Sequence, residues 1–133
     1  MNTIDHMLEQ VDAMSTELVQ LEQDLIKIPS VNTGTMPTGN ETEVCNYIKK
    51  WLAKYGIQSE ILEATPNRGN LIATLPGHSQ KLGLLFMSHT DVVPVEDESK
   101  WEFPPFDGHI SNGRIFGRGA SDCKGLLTSQ LMA

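Results

Sequence analysis

The chain has 133 residues, 39% of them hydrophobic, a formal charge of −7 and a pI near 4.9. A chain this long buries about two thirds of its unfolded surface, enough for one domain with a core of its own. The acidic balance without any Lys/Arg cluster excludes nucleic acid and anionic membranes as main partners, and Glu96, Asp97 and Glu98 read as a solvated loop. Cys45 and Cys123 are far apart without CxxC spacing, as expected in a reducing compartment. Met1 to Asp5 carries no basic-then-apolar pattern, so neither a signal peptide nor a membrane span is expected, and the assigned location is the cytoplasm.

Ile4, Leu8, Val11, Leu18, Leu21, Leu25 and Ile28 recur at threes, fours and sevens, which predicts an amphipathic helix from about Thr3 to Lys27, ended by Pro29. Ser30 to Gly39, rich in Thr, Gly, Asn and Pro, reads as a loop. Asn40 and Glu43 form a near capping box for a second helix, with Val44, Tyr47, Ile48, Trp51, Leu52 and Tyr55 inward and Gly56 as its stop. Apolar segments at about Ile57–Leu62, Asn70–Leu75 and Leu82–Met87, separated by Pro and Gly, predict three strands. Val92 to Phe106 reads as a long ordered loop. Ile110, Ile115 and Phe116 around Asn112-Gly113 predict a hairpin. A last helix is expected from Asp122, with Leu126, Leu127 and Leu131 on one side. It runs out at Ala133 without a C-cap glycine, so the chain is expected to be cut within that helix rather than finished.

The chemistry is concentrated at His89 and Asp91, just after the apolar run, and at Asp122, behind the Gly117-Arg118-Gly119 turn. A strand ending there opens into the crevice that α/β proteins use for their sites. His89 can offer a neutral imidazole nitrogen to a metal, and Asp91 can hold the other ring nitrogen and so fix the tautomer. Asp122 offers two carboxylate oxygens. A carboxylate shared by two cations lets them sit roughly 3.5–4 Å apart, close enough to clamp a water and a carbonyl oxygen.

Each residue also has a plainer reading. His89 can be a strand-end histidine bonded to backbone, Asp91 an Asx turn before Pro94, and Asp122 an N-cap of the final helix. The glycines at 113, 117 and 119 need mean only tight turns. Gly117, Gly119 and Asp122 between strand and helix also echo a dinucleotide fingerprint, but a carboxylate at that helix start would repel a pyrophosphate. Lys124 does not complete a Walker A loop. His78 and His109 fall in turn-like contexts without a well-spaced carboxylate, His6 reads as solvent-facing, and Cys123 reads as a small packing residue.

Taken together, Ser88-His89-Thr90-Asp91-Val92-Val93-Pro94, Trp101 with Pro104-Pro105-Phe106, and Gly113 through Gly125 resemble the metallopeptidase and deacylase family of acetylornithine deacetylase, succinyl-diaminopimelate desuccinylase and carboxypeptidase G. Asn70-Leu71-Ile72-Ala73 and Ile28-Pro29-Ser30 resemble it too, so the likeness spans nearly the whole chain. It implies an α/β fold: the N-terminal part of a three-layer catalytic domain with a mixed, largely parallel sheet between helices, residues 1–133 forming that portion without the lid or dimerisation domain. It implies His89 and Asp122 as metal ligands, Asp122 bridging, with Asp91 orienting His89 and counted as catalytic. Two divalent cations are implied, zinc first with cobalt or manganese admitted, together with a small N-acyl amino acid or peptide substrate and a homodimer for the full-length protein. The peptide after the bridging aspartate is expected to be cis. Cys123 stands where methionine is usual.

The resemblance also implies a glutamate pair, a further carboxylate and a late histidine, none of which can be assigned before Ala133. Glu41, Glu60 and Glu102 lie outside the motifs. The expectation is therefore a fragment of an amide-cleaving dinuclear hydrolase, inactive alone. The alternative is a naturally short binding module that keeps the scaffold.

Overall fold

The computed structural model describes residues 3–36, 38–79, 81 and 83–133. Leu82, first residue of the third expected strand, and Met1 and Asn2, at the start of the segment searched for a leader, lie outside the described residues.

Helix α1 (Thr3–Ile26) matches its apolar periodicity, yet only its second half is buried. Leu21, Leu25 and Ile26 are at most 2% exposed, whereas Ile4, Met7, Leu8 and Val11 are 58–66% exposed. Helix α2 (Glu41–Ala53) begins after Asn40 without the expected capping box: the Asn40 amide donates to the Glu43 carboxylate, and the Glu43 N–H goes to the Asn40 main-chain oxygen. Its other end follows the sequence. Gly56 has φ +73°, its N–H bonds to Ala53 O and that of Ile57 to Leu52 O, the paired bonds of a Schellman stop. Val44, Ile48, Trp51 and Leu52 turn inward as expected, joined by Cys45, while Tyr47 is half-buried and Tyr55 remains in water.

Strands β1 (Ser59–Glu63) and β2 (Gly69–Ala73) pair antiparallel, with Ile61 opposite Leu71, and α2 lies against them. The core forms where Leu21 and Leu25 of α1 and the inward face of α2 meet Leu127, with Ile57 and Leu71 packed beside them. Fully burying each such side chain is worth roughly 1.5–3 kcal/mol.

The expected third strand is not formed. No strand of the described residues lies beside residues 83–87, since β1 and β2 pair with each other, and Leu84, Leu85, Phe86 and Met87 are 53–76% exposed. An apolar run becomes a strand only when a neighbour takes its N–H and C=O groups. The chain does gain one parallel contact beyond it: Val31 bridges Val92, with Asn32 N–H to Val92 O at 2.8 Å and Val92 N–H to Ser30 O at 2.9 Å. The chain mixes helices and strands, two helices preceding the strands and one following them, and both ladders of the described residues are antiparallel.

The second ladder is the predicted hairpin, β3 (His109–Ser111) with β4 (Arg114–Phe116). Asn112 at φ +50° and Gly113 at φ +72° supply the two left-handed residues of a type I′ turn. The last helix differs from expectation. Asp122 (φ −124°, ψ 97°) and Cys123 (φ −133°, ψ 30°) are not helical, so regular helix α3 (Gly125–Met132) starts three residues late. That shift turns Lys124, Leu127 and Thr128 inward, with Leu131 partly buried, and leaves Leu126 53% exposed.

Candidate metal centre

Two segments converge on one cleft of about 250 Å³ lined by His89, Asp91, Arg118 and Asp122. The Val31–Val92 bridge anchors the first of them, so that His89 and Asp91 project just before a pinned residue. The glycine turn supplies the other side. Gly119 has φ +82° and a Cβ there would stand 2.4 Å from Val92 Cγ1, so the turn packs directly on the bridge. The Asp122–Cys123 peptide is cis, as the resemblance implied.

The three sequence-assigned residues meet, although 33 positions separate His89 from Asp122. His89 Nε2 lies 2.9 Å from Asp122 Oδ1, and His89 Nδ1 lies 3.1 Å from Asp91 Oδ1 and 3.0 Å from the Asp91 carbonyl. Both ring nitrogens face acceptors, Nδ1 the Asp91 oxygens and Nε2 the Asp122 carboxylate. The hydrogen bond that the protonated His89 Nε2 donates to the Asp122 carboxylate raises the His89 pKa, burial opposes it, and the Asp91 carbonyl and the two carboxylate charges add to the rise. Burial works to raise Asp91, but the Asn32 hydrogen bond and the His89 charge outweigh it and hold the carboxyl below its ordinary value.

These donors suit a divalent cation. A site with one ring nitrogen already held by a carboxylate presents the other as a ligand, and the Asp122 side chain, 90% exposed, keeps an oxygen open to solvent. His89, Asp122 and Cys123 each bring a ligand atom within 4.8 Å of the others. The Cys123 thiol, however, is buried and donates to the His89 carbonyl, in keeping with a packing role. Asp122 does not cap α3: Lys124 stands at that N-cap position, without a side-chain cap bond.

The other histidines stand apart. His6 and His78 are exposed. His109 lies in β3 rather than in a turn, stacked on Phe103 at 3.8 Å between centroids, and Asp107 stands 3.7 Å from its Nδ1. Arg118 lies 4.9 Å from the centre of the Trp101 ring, a cation–π contact that ties the cleft wall to the long loop.

Two residues of the site's support escaped the sequence reading. Asn32 donates its amide to Asp91 Oδ2 at 3.0 Å, and the signal was the Asn32-Thr33-Gly34 run, typical of an Asx turn. Lys124 is fully buried, its Nζ donating to Leu25 O and Ile28 O, each at 2.8 Å. Its signal was its spacing of three, four and seven from Leu127, Thr128 and Leu131. Burial pushes its pKa down to about 8.

Comparison with known proteins points the same way. Residues 85–133 match the model of peptidase family M20/M25/M40. The chain is 36% identical over 115 residues to a "probable succinyl-diaminopimelate desuccinylase" of Staphylococcus epidermidis, covering 86% of this chain and 26% of that protein. It is 33% identical over 135 residues to the N-formyl-4-amino-5-aminomethyl-2-methylpyrimidine deformylase of Halalkalibacterium halodurans, covering 100% and 31%. The crystal structure of the M20 family metallo-carboxypeptidase Sso-CP2 from Sulfolobus solfataricus superposes with a TM-score of 0.73 at 34% identity, over 86% of this chain and 25% of that one. The chain thus spans about a quarter to a third of the length of these relatives.

Proposed function

We infer that this chain, a member of peptidase family M20/M25/M40 spanning about a quarter of its relatives' length, carries one side of the metal centre of an amide-cleaving hydrolase. One observation carries the reading: the His89 ring is held between Asp91 on Nδ1 and Asp122 on Nε2.

In this reading His89 and Asp122 would hold divalent metal, two cations with zinc first, Asp122 offering its carboxylate to both. Bound there, the cations supply Lewis acidity that activates water and polarises a carbonyl. His89 would contribute the Nε2 lone pair while its Nδ1–H donates to the Asp91 carboxylate. Asp91 fixes the ring plane and stabilises positive charge on the imidazole. Asp122 would neutralise part of the charge gathered in the cleft, its exposed carboxylate leaving an oxygen free of His89. The proton shuttle and the remaining ligands belong to the parts of a member that this chain does not span.

N-acyl amino acids or small peptides are the substrate class, in line with the desuccinylase, deformylase and carboxypeptidase among the relatives. We assign the full-length protein as a cytoplasmic enzyme, in keeping with two free, buried cysteines, and as a homodimer.

The purified 133-residue chain is expected to bind zinc weakly and to hydrolyse N-acyl amino acids at no measurable rate. Metal-dependent turnover by this chain that disappears in His89→Ala would overturn the division of labour proposed.

A further inference from the structure

We propose that Asn32 is a positioning residue for the metal centre, holding Asp91 in the orientation that fixes the His89 ring. The inference rests on the functional reading above.

Asp91 has two carboxylate oxygens, and each has one side-chain partner: Oδ1 faces His89 Nδ1 at 3.1 Å, Oδ2 faces Asn32 Nδ2 at 3.0 Å. Asn32 cannot present its other end there, because its Oδ1 accepts the Gly34 N–H at 2.9 Å. That bond assigns the amide's two ends independently of Asp91. The Asn32 main chain is fixed as well, by its N–H to Val92 O next to the Val31–Val92 bridge. The result is a line of four side chains, Asn32 to Asp91 to His89 to Asp122, tied at its outer end to the exit of α1.

Asp91 needs such a hold. Its side chain is about one third exposed, so water competes for both oxygens, and rotation of the carboxylate would release the His89 ring. The amide removes that freedom by claiming the oxygen that His89 does not use.

A purely structural role for Asn32, as the anchor of the turn to Gly34, makes a different prediction. Aspartate at position 32 keeps an oxygen for the Gly34 N–H but sets a carboxylate against Asp91. Asn32→Asp therefore behaves as wild type if the turn is all that matters, and as a damaged site if positioning matters.

The test uses the 133-residue chain as wild type, Asn32→Ala, Asn32→Asp, Asp91→Ala and the Asn32→Ala/Asp91→Ala pair, with thermal unfolding to verify folding. Two readouts are taken: ¹⁵N shifts of the His89 ring nitrogens in metal-free protein at one fixed pH, and the zinc dissociation constant by competition with a chromophoric chelator. We expect Asn32→Ala to move the ring nitrogens in the same sense as Asp91→Ala, Asn32→Asp to displace them from their wild-type shifts, and both to weaken zinc binding about tenfold or more. Asn32→Ala should add nothing once Asp91 is gone. Ring shifts unchanged in Asn32→Asp, or an Asn32→Ala effect equally large without Asp91, would overturn the proposal. Absence of zinc binding by wild type would instead count against the metal-centre reading, while the metal-free ring shifts still decide the role of Asn32.

Discussion

Cys123 donates its thiol to the main-chain carbonyl of His89 at 3.1 Å, joining the peptide units of two proposed site segments 34 residues apart. A thiol that donates keeps its proton, whereas a coordinating thiol is deprotonated outright. The cobalt-loaded chain should therefore show no thiolate-to-cobalt charge-transfer absorption. Cys123→Ala should keep its cobalt affinity within about threefold, since the loss of a single neutral hydrogen bond is worth only ~0.5–1.5 kcal/mol. A charge-transfer band lost in that variant would make the sulfur a ligand.

The His89 shift sets a pH signature in metal-free protein. A pKa raised on folding contributes stability that is fully present below the unfolded value, 6.5, and is lost as pH rises through the folded one. Asp91 has the opposite sign: its depressed pKa gives stability present above 3.8 and lost as pH falls through the folded value. Urea midpoints of wild type and His89→Ala should differ most between about pH 5 and 6.5 and converge in the alkaline range. A difference that grows with pH would contradict the ion-paired geometry.

Glycines 113 and 119 share a left-handed backbone but not their surroundings. A Cβ at Gly113 meets open space, so Gly113→Ala should cost only the ~1–2 kcal/mol of the left-handed conformation. At Gly119 the same atom would strike Val92 and press the turn away from the bridge. Denaturant titrations should rank Gly119→Ala clearly the more destabilised, and zinc competition should find its affinity reduced while Gly113→Ala binds normally.

Helix α1 divides into two halves that mutation should separate. Leu25→Ala empties a fully buried position and should cost ~2–5 kcal/mol, against at most ~0.5 kcal/mol for Val11→Ser at a site 61% exposed. Urea unfolding of the two variants checks the contrast.

Lys124 closes the C-terminal end of α1 with a buried ammonium rather than with water. Lys124→Met would leave the Leu25 and Ile28 carbonyls without that donor, at about 2–4 kcal/mol measured by chemical unfolding. A variant as stable as wild type would mean that water reaches those carbonyls.

What the sequence disclosed followed from signals that need no partner. The Schellman stop at Gly56, the turn at Asn112-Gly113 and the period of α1 are local, and each stands in the structure where the residues put it. His89, Asp91 and Asp122 were legible because their residue types restrict what they can do together. The failures were questions of neighbours. Leu84 to Met87 is apolar enough for a strand, but apolarity does not name the strand beside it. The same holds for the first half of α1, whose stripe predicts a helix and says nothing of what covers it. Asn32 and Lys124 were passed over because their types are ordinarily exposed, and only the fold turns one toward a carboxylate and the other into the core.

The stretch from Leu84 to Met87 bears on how this chain behaves in quantity. Backbone outside any ladder of the described residues, with four consecutive large apolar side chains in water, is a template onto which an equivalent stretch from another molecule can add. The charge of −7 keeps molecules apart at long range, but it is screened within about 10 Å at 0.1 M salt, which opens this segment to encounters at contact. Added salt is therefore expected to favour encounters at the four residues just before the proposed metal centre.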